Sequence, residues 1–256
     1  MQHPLPSPHV CIIGITGIPE VRPGDDLAAL IVRAAHATGI PLQEGDIVVV
    51  TQKVVSKAEG CLVDLATVEP SPFAHQIARL WGKDPRHVEV ILRQSRRIVR
   101  MDRGVLICET HHGFICANAG VDASNVPGEG VVSILPPDPD ASARRLREGI
   151  KGLTGVRVAV IITDTFGRPW REGTTNVAIG VAGMAPLADY RGWRDPYGKE
   201  LRVSVAAVAD EVAGAADLVM NKTARVPVAV VRGFPYQPAP GSARPLLRDP
   251  TADLFR

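Results

Sequence analysis

Apolar runs of strand length recur along the chain, and polar or glycine-rich segments separate them. Residues 10–15 form a β-branched run that predicts a first strand. The segment Gly17-Ile18-Pro19-Glu20-Val21-Arg22-Pro23-Gly24 ends it, because glycine and proline break regular structure. Asp25 or Asp26 caps a helix over residues 27–37, where apolar positions return at helical spacing, and Gly39 closes it. Residues 46–51 predict a second buried strand, followed by a polar segment over residues 52–60. Residues 72–94 read as mostly helical, and residues 98–101, 105–109 and 114–117 as short, closely spaced strands.

In the second half, residues 131–135 predict a strand. Asp138-Pro139-Asp140 opens a helix over residues 141–153, which Gly155 closes. Residues 156–163 are the most apolar strand and must be central, since only a strand covered on both faces reads this way. A strand over residues 201–206, an alanine-rich helix over 209–220 and a strand over 226–231 follow. Pro235, Pro238, Pro240 and Pro245 predict an extended surface tail. Strands at both hairpin and crossover spacing point to an α/β or α+β fold, not a regular Rossmann array. Neither common nucleotide cradle, G-x-G-x-x-G or G-x-x-x-x-G-K-[ST], is present.

Composition narrows the classes further. The 256 residues suffice for a sizeable core. A net charge of +2 gives no electrostatic reason to expect nucleic acid or an anionic membrane as partner. No apolar run reaches the roughly 18 residues of a membrane span. Residues 1–9 lack the basic and apolar regions of a signal peptide, so a cytoplasmic protein is expected. The four cysteines form no CxxC pair or zinc spacing; Cys11, Cys108 and Cys116 read as buried thiols of a reducing compartment.

Four polar clusters follow apolar strands, where sheet proteins bind ligands. Asp164 and Thr165 offer the carboxylate and hydroxyl oxygens that a hard divalent cation prefers, and Arg168 and Arg171 favour an anion. Asp122 is a second carboxylate in the small-residue segment 118–125, and Asn125 is a hydrogen-bonding amide. Lys57, in the segment 52–60, can neutralise phosphate charge. The loop 17–24 can offer backbone N–H groups. Against each stands an ordinary reading: a helix cap, an Asx turn, a solvated lysine or a simple connector. Adjacent His111 and His112 point to opposite faces of a strand and do not share an ion.

The stretches GITGIPEVRPGDDLA, GDIVVVTQKVVSKAEG, HGFICANAGVDASNV, LPPDPDASA, VAVIITDTFGRPWREG, RDPYGKEL, VADEVAGAADLV and VPVAVVRGF together resemble the coenzyme F420-0:γ-glutamyl ligase family, in family order over nearly the whole chain. The tail RPLLRDPTADLF also resembles the ligase part of two-domain actinobacterial relatives. The resemblance implies one ligase domain over residues 1–256 without the nitroreductase-like domain, and an α+β, mixed-sheet fold particular to the family as an intertwined homodimer. It implies a GTP-dependent ligase that adds L-glutamate to the phospholactyl carboxylate of the deazaflavin precursor F420-0 through an acyl phosphate, with further γ-linked glutamates in later rounds. It implies nucleotide contacts at Ile18, Pro19, Glu20, Val21, Gln52, Lys57 and Asn125. Asp122 and Asp164 match the ligands of one divalent ion (Mg or Mn), and Thr165 a ligand of a second; a potassium ion is also implied. Arg168 and Arg171 are assigned to the acceptor as a separate hypothesis. Some relatives carry a glycine- and glutamate-rich loop near the GTP where residues 218–225 stand here; this chain has Met220-Asn221-Lys222-Thr223 instead, a departure that bears both on an acidic ligand of a second ion and on nucleotide contact through that loop. The rival readings are an NTP-dependent ligase acting on another carboxylate, and a nucleotide-binding protein without catalysis.

Overall fold

The computed structural model describes residues 8–253. Most of the segment read as lacking a leader, and the last two positions of the tail motif, lie outside them. The architecture is α+β with mixed sheets. The central sheet has the order β1-β12-β2-β8-β9, formed by β1 (Cys11–Ile15), β2 (Ile47–Thr51), β8 (Ala159–Arg168), β9 (Arg171–Ala182) and β12 (Val228–Arg232). β2 and β8 run parallel, and the other pairs are antiparallel.

The inner strands read as unbroken apolar runs because both faces are covered. Val48 and Val50, Val160 and Ile162, and Val228 and Val230 face one core with α1 (Leu27–Ala37), α2 (Gln52–Ala58) and α5 (Pro139–Thr154). Their neighbours Ile47 and Val49, Ala159 and Ile161, and Ala229 and Val231 face the other, under α6 (Val208–Met220). Small residues on the buried side of α6 (Ala209, Ala213 and Ala216) let the helix lie close to the sheet. A separate core unites α3 (Pro72–Trp81) and α4 (Pro85–Arg93) with a three-stranded sheet of β4 (Ser95–Asp102), β5 (Val105–Thr110) and β6 (Ile115–Ala117). Two short ladders complete the fold: β3 (Leu62–Asp64) with β7 (Val131–Ser133), and β10 (Ala188–Asp189) with β11 (Val205–Ala206).

The expected helix over residues 72–94 is two helices. Gly82, at φ 62°, closes α3, and the Asp84 carboxylate accepts the Arg86 N–H to open α4. The polar segment 52–60 is helical as α2. The expected strand over 201–206 shrinks to the two residues of β11. Cys11 is exposed on the edge strand, contrary to the buried thiol expected there, whereas Cys61, Cys108 and Cys116 are buried. The proline-rich tail is extended but not merely superficial. The Ala185 and Gly183 N–H groups donate to the Gln237 and Pro240 carbonyls, and Asp140 accepts from Ser242 and Ala243, which is buried.

The largest difference is the hairpin β8–β9. The strand expected to end at Thr163 continues to Arg168 and returns as a twelve-residue strand. Its first half, Arg171-Glu172-Gly173-Thr174-Thr175-Asn176, carries no alternating apolar pattern, so hydrophobic periodicity does not reveal it. Pairing holds it: Asp164 lies opposite Val177 and Thr165 opposite Asn176.

Candidate active site

Sheet register gathers the site. Ile15 pairs with Val228, Val228 with Val50, and Val50 with Ile162. Four strand ends therefore stand abreast, and what lies just beyond them opens to one side: residues 16–21, 51–53, 163–165 and 226–227. Together with the loop 122–127, Thr174 and Asn176 of β9 and the end of α6, they enclose a cavity of about 840 Å³. This is the position at which sheet folds hold ligands.

Ile18, Pro19, Glu20, Val21, Gln52, Lys57, Asn125, Asp122, Asp164 and Thr165 all line this cavity. Arg168 and Arg171 do not. They lie at the exposed turn of the β8–β9 hairpin, where Arg168 Nη2 donates to the Glu172 carbonyl at 2.6 Å. The segment 118–125 divides in the same way. Ala119 is buried, and a side chain on Gly120 would meet Leu135 at 2.7 Å, so smallness there serves packing. Only Asp122, Ser124 and Asn125 of that segment face the cavity.

The cavity floor is a network of charges. Lys57 is buried, and its ammonium contacts Glu20 Oε1 at 2.5 Å, so the first-strand loop is tied to α2. Lys53 pairs with Asp122 Oδ2 and donates to the Ser124 carbonyl at 2.8 Å. Burial pushes the Asp122 carboxyl up, but hydrogen bonds from Lys53 and Ser124 outweigh it and hold the group below the usual carboxylate range. For Asp164, burial dominates and the neighbouring Asp122 charge adds to it, so its carboxyl is pushed up to about 6. The Thr165 hydroxyl donates to Asn176 Oδ1 at 2.7 Å and accepts from Lys222 Nζ at 3.0 Å, while Asn176 Nδ2 donates to Asp217 Oδ1 at 3.1 Å.

Asp122 and Asp164 both line the cavity and the charge of one acts on the other, so they are the pair that could hold one hard divalent cation, with Lys53 displaced from Asp122. No group of three or more His, Cys, Asp or Glu able to hold a metal occurs among the described residues, so water and ligand oxygens would complete the shell, as is usual for Mg²⁺. An ion on Thr165 would share the hydroxyl with Asn176 and stand beside the Lys222 ammonium.

A family profile for F420-0:Gamma-glutamyl ligase matches residues 16–233. The chain belongs to the F420-0:γ-glutamyl ligase family. It is 46% identical over 250 residues to the coenzyme F420:L-glutamate ligase of Methanothermobacter thermautotrophicus, covering 96% of this chain and 99% of the relative. It is 50% identical over 242 residues to that of Methanopyrus kandleri, covering 93% and 94%. With that of Methanocaldococcus jannaschii it shares 43% over 217 residues, covering 84% and 86%.

Sequence reasoning missed several residues of this ligase-family cavity, Lys53, Ser124, Asn176 and Asp217, whereas Lys222 and Arg225 lie in the segment 218–225 that the resemblance sets apart. For Lys53 a signal existed, since it directly follows Gln52 at the end of β2. For Asn176 and Asp217 none did, because they reach the cavity only through the unread hairpin and the far turn of α6.

Proposed function

We propose that the chain is a GTP-dependent ligase that joins L-glutamate to the phospholactyl carboxylate of coenzyme F420-0. The observation that carries this reading is the convergence of Glu20, Lys57, Asp122, Asn125, Asp164 and Thr165 on one cavity in a chain of this family. A carboxylate does not acylate an amine in water, because its oxygen is a poor leaving group. Transfer of the γ-phosphoryl group of GTP forms a P–O bond to the carboxylate, releases GDP and leaves an acyl phosphate. The glutamate α-amino group, having lost a proton, then forms the C–N bond. The C–O bond to phosphate breaks, and inorganic phosphate leaves with the electron pair. Such chemistry needs positioning and charge neutralisation more than covalent participation by the protein.

Asp122 and Asp164 would hold the divalent ion, whose contribution when bound is to neutralise charge on the phosphate oxygens. Lys57, fixed by burial and by Glu20, places its ammonium for the nucleotide phosphates. Asn125, at φ 54°, presents its amide at the cavity wall to the nucleotide. The test is mass spectrometry of purified protein with F420-0, GTP, Mn²⁺ and L-glutamate. A GTP- and metal-dependent product ladder spaced by glutamyl residues is expected, and absence of any glutamylated product rejects the assignment. Lys57→Met is expected to raise the KM for GTP by about 10–100-fold, the worth of a charge-assisted hydrogen bond. A KM within twofold of wild type would remove Lys57 from the nucleotide site.

The ligase is further proposed to act as a homodimer. Support comes from large apolar side chains exposed to solvent: Trp193, Tyr197, Val203 and Leu218 are 63–90% exposed. Sedimentation equilibrium should give twice the chain mass, and a monomer at micromolar concentration would refute the dimer.

A further inference from the structure

We propose that the Lys222 ammonium supplies, as a fixed charge beside Thr165, the positive charge that a second divalent ion would otherwise bring, so that each active site takes one such ion. The inference rests on the nucleotide-dependent ligase reading and refines its phosphate subsite. Local structure aims the lysine. Helix α6 ends at buried Met220, and the Asn221 carboxamide oxygen accepts the Thr223 and Ala224 N–H groups at 3.0 and 2.8 Å. This folds residues 221–224 into a tight turn that returns Lys222 to β8, where Nζ meets Thr165 Oγ1 at 3.0 Å.

The same geometry leaves little for a metal. Thr165 gives its proton to Asn176 and one lone pair to Lys222, so an ion on the remaining lone pair would stand beside an ammonium that repels it. The carboxylate linked to this network is Asp217, one oxygen of which accepts from Asn176. One threonine and one shared carboxylate, beside an ammonium, are poorer provision for an ion than the two carboxylates Asp122 and Asp164. Lys222 by contrast makes no ion pair, although its charge is felt at Asp164. Lys53 is paired with Asp122 and Lys57 with Glu20, whereas no carboxylate lies within ion-pair distance of Lys222 among the described residues. A lysine in this state, on the wall of a cavity with two other lysines, is set to meet a phosphate as a point charge.

The experiment counts Mn²⁺ bound per chain by electron paramagnetic resonance, with a non-hydrolysable GTP analogue present, and measures the analogue's Kd for wild type, Lys222→Met and Lys222→Arg. One Mn²⁺ per chain is expected in the wild type. Lys222→Met should weaken the analogue about tenfold, and Lys222→Arg should stay within about threefold, because charge and not shape is what is required. Two Mn²⁺ per chain with the analogue bound would overturn the inference and leave the ligase reading standing. So would an unchanged Kd in Lys222→Met, or equal loss in both variants. If the wild type binds neither Mn²⁺ nor the analogue, the ligase reading falls, and this inference falls with it.

Discussion

Asp164→Asn should leave a folded, more heat-resistant protein with at least about a thousandfold lower kcat. The two halves of that expectation have one cause. Asp164 lies at the end of the buried part of β8, where burial and Asp122 disfavour its negative charge and push its carboxyl up to about 6. In metal-free protein the ionised group is therefore a cost. A folded-state pKa above the unfolded one means that the protonated form stabilises the fold; this contribution is full below the unfolded value, near 4, and is lost as pH rises through about 6. Removing the charge relieves the cost, so in the presence of a chelator the variant should gain Tm over wild type at pH 8 and little or none near pH 4. The same charge is half of the carboxylate pair proposed to hold the divalent ion, and stabilisation of phosphoryl-transfer charge by such an ion is worth several kcal/mol, or about three orders of magnitude in rate. Calorimetry in chelator and single-turnover assays with Mn²⁺ check both halves. Turnover near the wild-type rate would sink the metal assignment, and a lower Tm at pH 8 would sink the electrostatic account of Asp164.

What the sequence makes legible follows from what periodicity can encode. The apolar runs at residues 46–51, 156–163 and 226–231 mark strands covered on both faces, and they are the middle of the sheet. Asp164 and Asp122 are readable as candidates because each follows an apolar run, and the motif resemblance turns those candidates into a family site. The rest depends on pairing. The first half of β9 is polar, and what makes it a strand is its ladder with residues 163–168, a long-range fact that no local pattern carries. Asn176 enters the cavity only once that ladder exists. Asp217 lies on the polar side of α6, where an acidic residue looks solvated until the crossing of helix and sheet is known. The small residues 118–120 illustrate the opposite error, since tight packing against Leu135 leaves the same sequence trace as a backbone opened to a ligand. Arg168 and Arg171 are near Asp164 in sequence but are carried to the hairpin turn by the extension of β8, because a strand advances about 3.3 Å per residue.

Two glycine-to-alanine replacements should move stability in opposite directions, and the difference isolates how α5 is seated on the sheet. Gly180 lies in β9, opposite Ile162 and beneath the first turn of α5. A methyl group there would stand 2.4 Å from the Pro139 carbonyl oxygen and 2.6 Å from its carbon. Both are backbone atoms, and relief by a rotamer change is closed to them. Pro139 cannot simply lift away either. It begins a helix whose Asp138 caps the Ala141 N–H, and the adjacent Asp140 carboxylate holds the Val181 N–H at 2.9 Å and the Ser242 hydroxyl at 2.6 Å. Raising the turn would break contacts to both β9 and the tail. Gly180→Ala should thus cost about 3 kcal/mol, the upper end of overpacking effects, and lower Tm by about 6–12 °C in a chain of this size. Gly152 lies in the same helix, α5, with nothing within 4 Å of the position its side chain would take. There the alanine removes only the conformational freedom of the unfolded chain, and Gly152→Ala should add about 0.5–1 kcal/mol. Urea unfolding of the two variants separates the causes, since the unfolded-state gain is common to both. A destabilisation below about 1 kcal/mol for Gly180→Ala would mean that α5 is free to ride up on β9. The Asp140 contacts that join helix, sheet and tail would then be too soft to fix the strand that carries Asn176 to the active site.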